Sequence, residues 1–548
     1  MSSLARTHGS GYSLASLSTE LLAMIFEDLQ EIDPRALFVA RRLSKRFNQI
    51  ATPVCYRTVH INSRIASRDA EQRYPGAFRL IFAYTRHVLV TSNLDYQCVR
   101  YILDNIQKLQ SIRYSLESPL QLSVCYVPDI CSPHRRWRYF DTAFPAGDFW
   151  VPSSLPSLKK PYQEGPRLYV EDLPLTSMGG SLSDIYLKAI PCNLLVSLKM
   201  ISPTPPLTTR LHSLKRLLLE ARYLETLQYR DLGQGTQFAF SAAERFPPFR
   251  SLSLTSYNWT HTREEVATHW DFSRICSLEL VSVPLFNFLA SISFPDFAQL
   301  QDLNLEDFSA HTMTDCREEA TWMLYVLLKD YIRSLRTLRI TCHTTLFPID
   351  ALLAHSRSLE ALHFRDHVGF SEDDRYCPTM PLGDLMVLSQ VMVVLNTLEL
   401  DMHITNPDCY MFLLGLCNFP QLHTLVVHMQ TLLDCHRVYL PEEDPDKDSA
   451  MRMFEFLLRN KTGHRAWRRI VINVGGWKRV MIPRLGEPWR EQNKRGKFAE
   501  RSFVLERSSA GEFMAWEEPN AELEAYQGQG PLHHGTMAVQ AEVPAVPS

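Results

Sequence analysis

The stretch "LQDLNLE", Leu300–Glu306, sets apolar residues three and then two positions apart. The same spelling recurs along the chain. Before this point it reads Leu195-Leu198-Met200, Leu214-Leu217-Leu219, Leu224-Leu227-Tyr229, Phe249-Leu252-Leu254 and Ile275-Leu278-Leu280. After it come Leu335-Leu338-Ile340, Leu359-Leu362-Phe364, Leu395-Leu398-Leu400 and Leu422-Leu425-Val427. From Leu224 the starts are separated by 25, 26, 25, 35, 24, 36 and 27 residues. A fixed period in this range, with two insertions of about ten residues, is the mark of a repeat array.

The second half of each unit alternates apolar and polar residues, the period of a short strand. Helical runs such as "EEATWMLYVLLKDYI", "PIDALLAHS" and "GDLMVLSQVMVVL" lie between these strands. One strand–helix unit leaves both faces of its strand exposed, and stacking on neighbours buries them. The expected fold is therefore α/β: a leucine-rich-repeat-like solenoid with short parallel strands inside and helices outside. A doubly wound sheet also alternates strand and helix, but it does not repeat one spelling. Thr85-Val88-Val90 and Leu109-Ile112-Tyr114 fit the pattern loosely, and residues near 115–166, rich in proline, read as an irregular insertion.

Side chains between the repeat leucines should face the concave wall, where repeat proteins hold their partners. Asp302, Glu306, Arg339, His363, Arg365, Glu399 and Asp401 are the candidate substrate-binding residues, with Asn304, His428 and several threonines beside them. The competing reading is that acidic and basic rows pair across neighbouring strands, worth about 0.2–1 kcal/mol per pair. The asparagine usual after the repeat leucines is replaced by His343, His367 and His403 in three successive units. An imidazole N–H can serve loop carbonyls as the amide would.

Ahead of the array lies "LSTELLAMIFEDLQEIDPRALFVARRLSKRFNQIATPVCYRTVHI", Leu17–Ile61. Leu17, Leu21, Leu22, Ile25 and Leu29 draw one apolar stripe along a helix. Ser18 is placed to cap it. Asp33–Pro34 starts a second helix, since Asp caps and Pro suits the first turn. "YRTVHI" reads as a strand. A helical unit below about 50 residues cannot bury both sides of such a stripe by itself. Part of the stripe should meet another surface.

The residues Leu17, Glu20, Leu21, Leu22, Ile25, Phe26, Leu29, Asp33, Leu37, Ser44, Lys45, Arg46, Phe47, Asn48, Ala51, Pro53, Tyr56 and Arg57 together resemble an F-box of the fungal type. Ser18 stands where that family has proline, and Pro34 where it has leucine. The following repeats are similar to the degenerate leucine-rich repeats that accompany many F-boxes. The resemblance implies binding to a Skp-type adaptor, and through it a cullin, in an SCF-type ubiquitin ligase. The adaptor-binding residues would be Leu17, Leu21, Leu22, Ile25, Phe26, Leu29, Leu37, Val39 and Leu43. The chain would then be a non-catalytic substrate receptor for an unknown protein, or a scaffold that binds the adaptor without directing ubiquitination.

The expected organisation is a disordered N-terminus over 1–12, an F-box domain over 13–60 and a repeat domain over 61–508. A disordered acidic tail over 509–548 would follow, because no Lys or Arg occurs there. The net charge of −3 makes no case for nucleic acid or membrane. Arg459–Arg501 is locally basic and carries Trp467, Trp477 and Trp489. It reads as an array cap whose tryptophans pack and whose arginine stems snorkel, with an acidic or phosphorylated protein, or nucleic acid, as alternatives. The twelve cysteines are scattered singly, which suits a reducing compartment. Cys125, Cys131 and His134 lack a fourth ligand at zinc spacing, so no metal or cofactor is expected. No phosphate loop, nucleophile elbow or metalloprotease motif appears, so no catalytic residue is assigned. With no signal peptide or apolar span read from the sequence, the expected location is cytoplasmic or nuclear.

Overall fold

The computed structural model describes residues 14, 17–91, 94, 96–115, 167–174, 190–201, 211–230, 236–306, 316–366, 379–404, 408–433, 439–440, 442–475, 501–508 and 511–518. They form an α/β architecture on a mostly parallel sheet. The described residues fall into two compact units. The first takes in those up to Ser115, then 167–201 and 212–224; the second takes in Leu211 and those from Glu225 onward. The break at Leu224 lies inside the stretch read from the sequence as one repeat domain. The N-terminus over 1–12 and the insertion over 116–166 lie outside the described residues, as do Cys125, Cys131 and His134.

The first unit opens with three helices, α1 (Thr19–Ile32), α2 (Pro34–Leu43) and α3 (Lys45–Cys55). Each starts on a short polar side chain in extended backbone. Ser18 accepts from the Leu21 amide, Asp33 from the Arg35 amide and Ser44 from the Phe47 amide. Each such cap is worth about 1 kcal/mol, because it satisfies an amide that the helix itself leaves orphaned. The three helices close a small core of Leu22, Phe26, Leu37, Ala40, Phe47, Ala51 and Val54, with Phe26 and Phe47 edge to face at 5.5 Å.

Strands β1 (Thr58–Ile61), β2 (His87–Thr91), β3 (Ser111–Ser115), β4 (Arg167–Pro174) and β5 (Leu195–Ile201) then pair in parallel, in chain order. Parallel neighbours in chain order follow from helical connections, here Pro75–Tyr84 between β1 and β2 and Tyr96–Asn105 between β2 and β3. Val59, Val88, Ile112 and Leu168 are in register, as are Ile61, Val90, Tyr114 and Val170, and all eight are buried. Leu214-Leu217-Leu219 is not a strand but part of the helix Leu211–Glu220. Leu214, Leu217 and Leu218 fall at i, i+3 and i+4 and are buried together, so the leucine spelling there obeys the helical period. Strand β4 had no counterpart in the repeat reading.

The second unit carries β6 (Thr226–Arg230), β7 (Ser251–Thr255), β8 (Ser277–Val281), β9 (Asp302–Glu306), β10 (Thr337–Cys342), β11 (Ala361–Asp366), β12 (Thr397–Met402), β13 (Thr424–Met429) and β14 (Arg469–Val474), all parallel and in chain order. The repeat leucines stack in register. Leu227, Leu252, Leu278, Leu303, Leu338, Leu362, Leu398, Leu425 and Ile470 form one buried row. Tyr229, Leu254, Leu280, Leu305, Ile340, Phe364, Leu400, Val427 and Ile472 form the next. Burying one such side chain is worth about 1.5–3 kcal/mol, which makes these rows the main cohesive element. Around β7 and β8 the core becomes aromatic. Trp259 lies 5.0 Å from Trp270 and 4.9 Å from Phe288, and its indole N–H donates to Ser291 Oγ at 2.9 Å.

The unit ends on β15 (Arg501–Arg507) and β16 (Phe513–Glu518), both antiparallel to their neighbours. The expectation of a disordered tail from Ser509 is therefore corrected: Phe513–Glu518 is a strand, Ala515 is buried, and Glu517 and Glu518 are ion-paired to Arg501 and Arg469. The segment has no basic residue of its own, but Arg501 on β15 and Arg469 one strand further, on β14, reach its carboxylates. Of the basic, tryptophan-bearing stretch, Trp467 is a buried core residue whose indole donates to the Leu457 carbonyl at 3.0 Å. Trp477 and Trp489 lie outside the described residues.

Candidate functional site

The nine residues assigned to adaptor binding divide by environment. Leu22, Phe26 and Leu37 are inside the three-helix core, and Leu17 and Leu29 pack against it. Leu21, Ile25, Val39 and Leu43 point outward. The contrast is sharp between sequence neighbours: Leu22 is 0% exposed and Leu21 49%. Met24, Ile32 and Phe38 add to the outward apolar set on α1 and α2. The helical period explains the division, since a stripe wider than the local core must leave its margin uncovered. These side chains leave apolar surface unburied on helices whose core is already closed. Its rim is polar. Arg57 pairs with Glu27 at 2.7 Å, and the Arg41 guanidinium lies 5.9 Å from the Phe38 ring centre and 5.5 Å from that of Tyr56.

The second candidate set lies on the sheet face opposite the leucine rows. The structure brings most of these residues into contact with one another. Glu399 accepts hydrogen bonds from His363 Nδ1 and, at 2.7 Å, from His428 Nε2. Asp401 accepts from Arg365 Nε at 3.2 Å and from the Asp366 amide at 2.6 Å. Asp401 is 3% exposed, so it is an internal anchor and not a residue presented to a partner. Cross-strand pairing of rows thus describes these four residues. Asp302 and Arg339 are exposed, and Glu306 is half-buried. Arg339 stands between Asn304 and His363 in register and has no side-chain partner among the described residues. Of the three histidines after the strands, His343 and His403 fall among the described residues and His367 outside them.

The polar row extends beyond the residues chosen from sequence. Ser253 and Asn304 both donate to Glu279, at 2.6 Å and 2.8 Å, and Ser502 donates to Asn473 at 2.7 Å. The same period-2 rule that flagged Glu399 would have found Glu279 and Asn473, had the reading been carried to every strand.

Burial of Glu399 opposes its ionisation, but the hydrogen bonds from His363 and His428 prevail and hold its carboxyl well below the ordinary 4.5. A depressed folded pKa means the unfolded chain takes up protons first. Its stabilising contribution is then complete above the ordinary carboxylate range and is lost progressively as pH falls below it. Wild type should therefore exceed Glu399→Gln in stability at neutral pH, with the gap narrowing as urea titrations are repeated below about pH 4.5. A gap that stays constant with pH would show that the ionised carboxylate is not what matters there.

No protein-family model matches the sequence, and no curated protein matches it. Among the described residues no group of three or more His, Cys, Asp or Glu is placed to hold a metal ion. No described helix is long and apolar enough to cross a membrane.

Proposed function

We propose that the chain is the substrate-recognition subunit of an SCF-type cullin–RING ubiquitin ligase. In this reading α1–α3 are an F-box that seats on a Skp-type adaptor, and the leucine-rich-repeat-like strands hold the protein to be modified. The observation that carries it is the outward set Leu21, Ile25, Val39 and Leu43, left exposed on helices whose own core is already closed. The receptor performs no chemistry in this scheme. It supplies proximity, holding a target lysine near a separate transferring enzyme.

The test is Leu21→Asp combined with Ile25→Asp. Both side chains are exposed in the chain alone, so the fold should survive, while a carboxylate forced into a desolvated apolar contact costs several kcal/mol. The Skp-type adaptor should co-purify with the wild type and be lost from the variant, with the circular dichroism spectrum unchanged. Equal recovery of the adaptor by both proteins sinks the reading. A cullin captured along with the adaptor separates a ligase receptor from a scaffold that stops at the adaptor.

A further inference from the structure

The first unit contains a cleft of about 990 Å³ whose wall is cationic. Arg86, Lys108, Arg113 and Arg167 line it, together with His87 and Ser111, and no carboxylate does so among the described residues. The fold explains the clustering. His87, Ser111 and Arg167 share one register position on β2, β3 and β4, and Arg113 is two residues further along β3. Arg86 and Lys108 precede β2 and β3 on the same edge, where Arg86 also accepts the Ser111 amide through its carbonyl. Parallel strands stacked in register bring the same end of each strand together, so basic residues scattered through more than eighty positions of sequence meet in one place.

These charges are poorly neutralised internally. Arg86, Lys108 and Arg167 have no side-chain partner among the described residues. Arg113 reaches Glu171 only at 3.8 Å, and Glu171 is shared with Lys199 at 3.2 Å. His87 Nδ1 is 2.8 Å from Ser111 Oγ, so a hydroxyl and an imidazole sit among the cations as further hydrogen-bonding groups. Burial and the positive charge of Arg57 and Arg86 push the His87 imidazole below its ordinary value, as a positive local field should.

We propose that this cleft binds a small polyphosphorylated molecule carrying at least two phosphate groups. Three arguments point to that class. Guanidinium forks and hydroxyls match phosphate oxygens in geometry. Four cations balance about two groups of −1.5 to −2 charge each. The volume lies at the upper end of small-ligand sites, roughly 300–1,000 Å³, where an extended polypeptide would need a longer groove. The proposal does not rest on the adaptor reading, because the cleft residues are distinct from the outward residues of α1 and α2.

The test uses the full chain and inorganic pyrophosphate as the probe, by isothermal titration calorimetry at low salt. Pyrophosphate should bind, raise the melting temperature, and bind progressively less well as salt is added. Arg86→Gln with Arg167→Gln should weaken binding by roughly tenfold or more. Arg86→Lys with Arg167→Lys keeps the charge but loses the fork, and should fall between the two. This second pair guards against misreading a folding defect, since both variants must first match the wild-type circular dichroism spectrum. Absence of pyrophosphate binding overturns the proposal, as does equal binding by the glutamine variant. A phosphoserine peptide is titrated in parallel. If it binds and pyrophosphate does not, the site belongs to a phosphorylated polypeptide and the small-molecule assignment is wrong.

Discussion

Arg501→Ala should lower the stability of the second unit by about 3–5 kcal/mol, the range for breaking one side of a buried charge network. Its side chain is 7% exposed and spans two carboxylates. Its guanidinium donates to Asp444 at 2.9 Å and 2.8 Å and to Glu517 at 2.7 Å and 2.8 Å, and it lies 4.7 Å from the Phe503 ring centre. Burial works against the charge, but the hydrogen bonds to Glu517 and Asp444 raise the Arg501 pKa above its ordinary value. Asp444 is also the cap of the helix Pro445–Asn460, so one arginine ties that helix to β15 and β16. Truncation after Ser508 should destabilise as well. It removes Glu517 and uncovers the edge of β15, where Val504 faces Trp516 in register. Urea denaturation followed by tryptophan fluorescence measures both. A change in Arg501→Ala of less than about 0.5 kcal/mol, the size of an ordinary surface substitution, would refute the network's structural role.

Asp401→Ala should cost a similar amount, about 3–5 kcal/mol, for a related reason. The alanine would take away the acceptor of the Asp366 amide and one partner of the Arg365 guanidinium, at a site only 3% exposed. Arg339→Ala, two strands earlier in the row of His363 and Glu399 and exposed, should change stability by less than about 0.5 kcal/mol. The contrast bears on function. Loss of a captured protein in an Arg365 variant would be confounded by instability, whereas the same loss in Arg339→Ala would report recognition. If Asp401→Ala unfolds at the wild-type urea midpoint, the interior role assigned to Asp401 fails. If Arg339→Ala captures the same proteins in the same amounts as wild type, this arginine has no part in binding.

The leucine spelling alone located most strands of the second unit, because the spacing of an apolar residue, two others, leucine, one other and an apolar residue states both the strand period and the repeat length. The capping residues Ser18 and Asp33 were equally legible, since a cap depends on neighbours within three positions. Four things were not legible, each for want of long-range information. The spelling at Leu214 suits a strand and a helix alike, and only its burial within the unit selected the helix. The stretch after Ser509 has no helical or strand signal strong enough to stand alone, and β15 with Arg469 and Arg501 supplies what it lacks. Asp401 reads as one more charge on a polar row, yet register sets it beside Arg365 and the Asp366 amide and closes it from solvent. The cationic cleft is invisible in composition, because its residues are spread from Arg86 to Arg167 and only the register of β2, β3 and β4 brings them together. Sequence determined which segments are strands and helices, since those depend on local period and propensity. Tertiary structure decided which charges are buried, paired or left facing a cleft, since that depends on what the register of distant strands brings together.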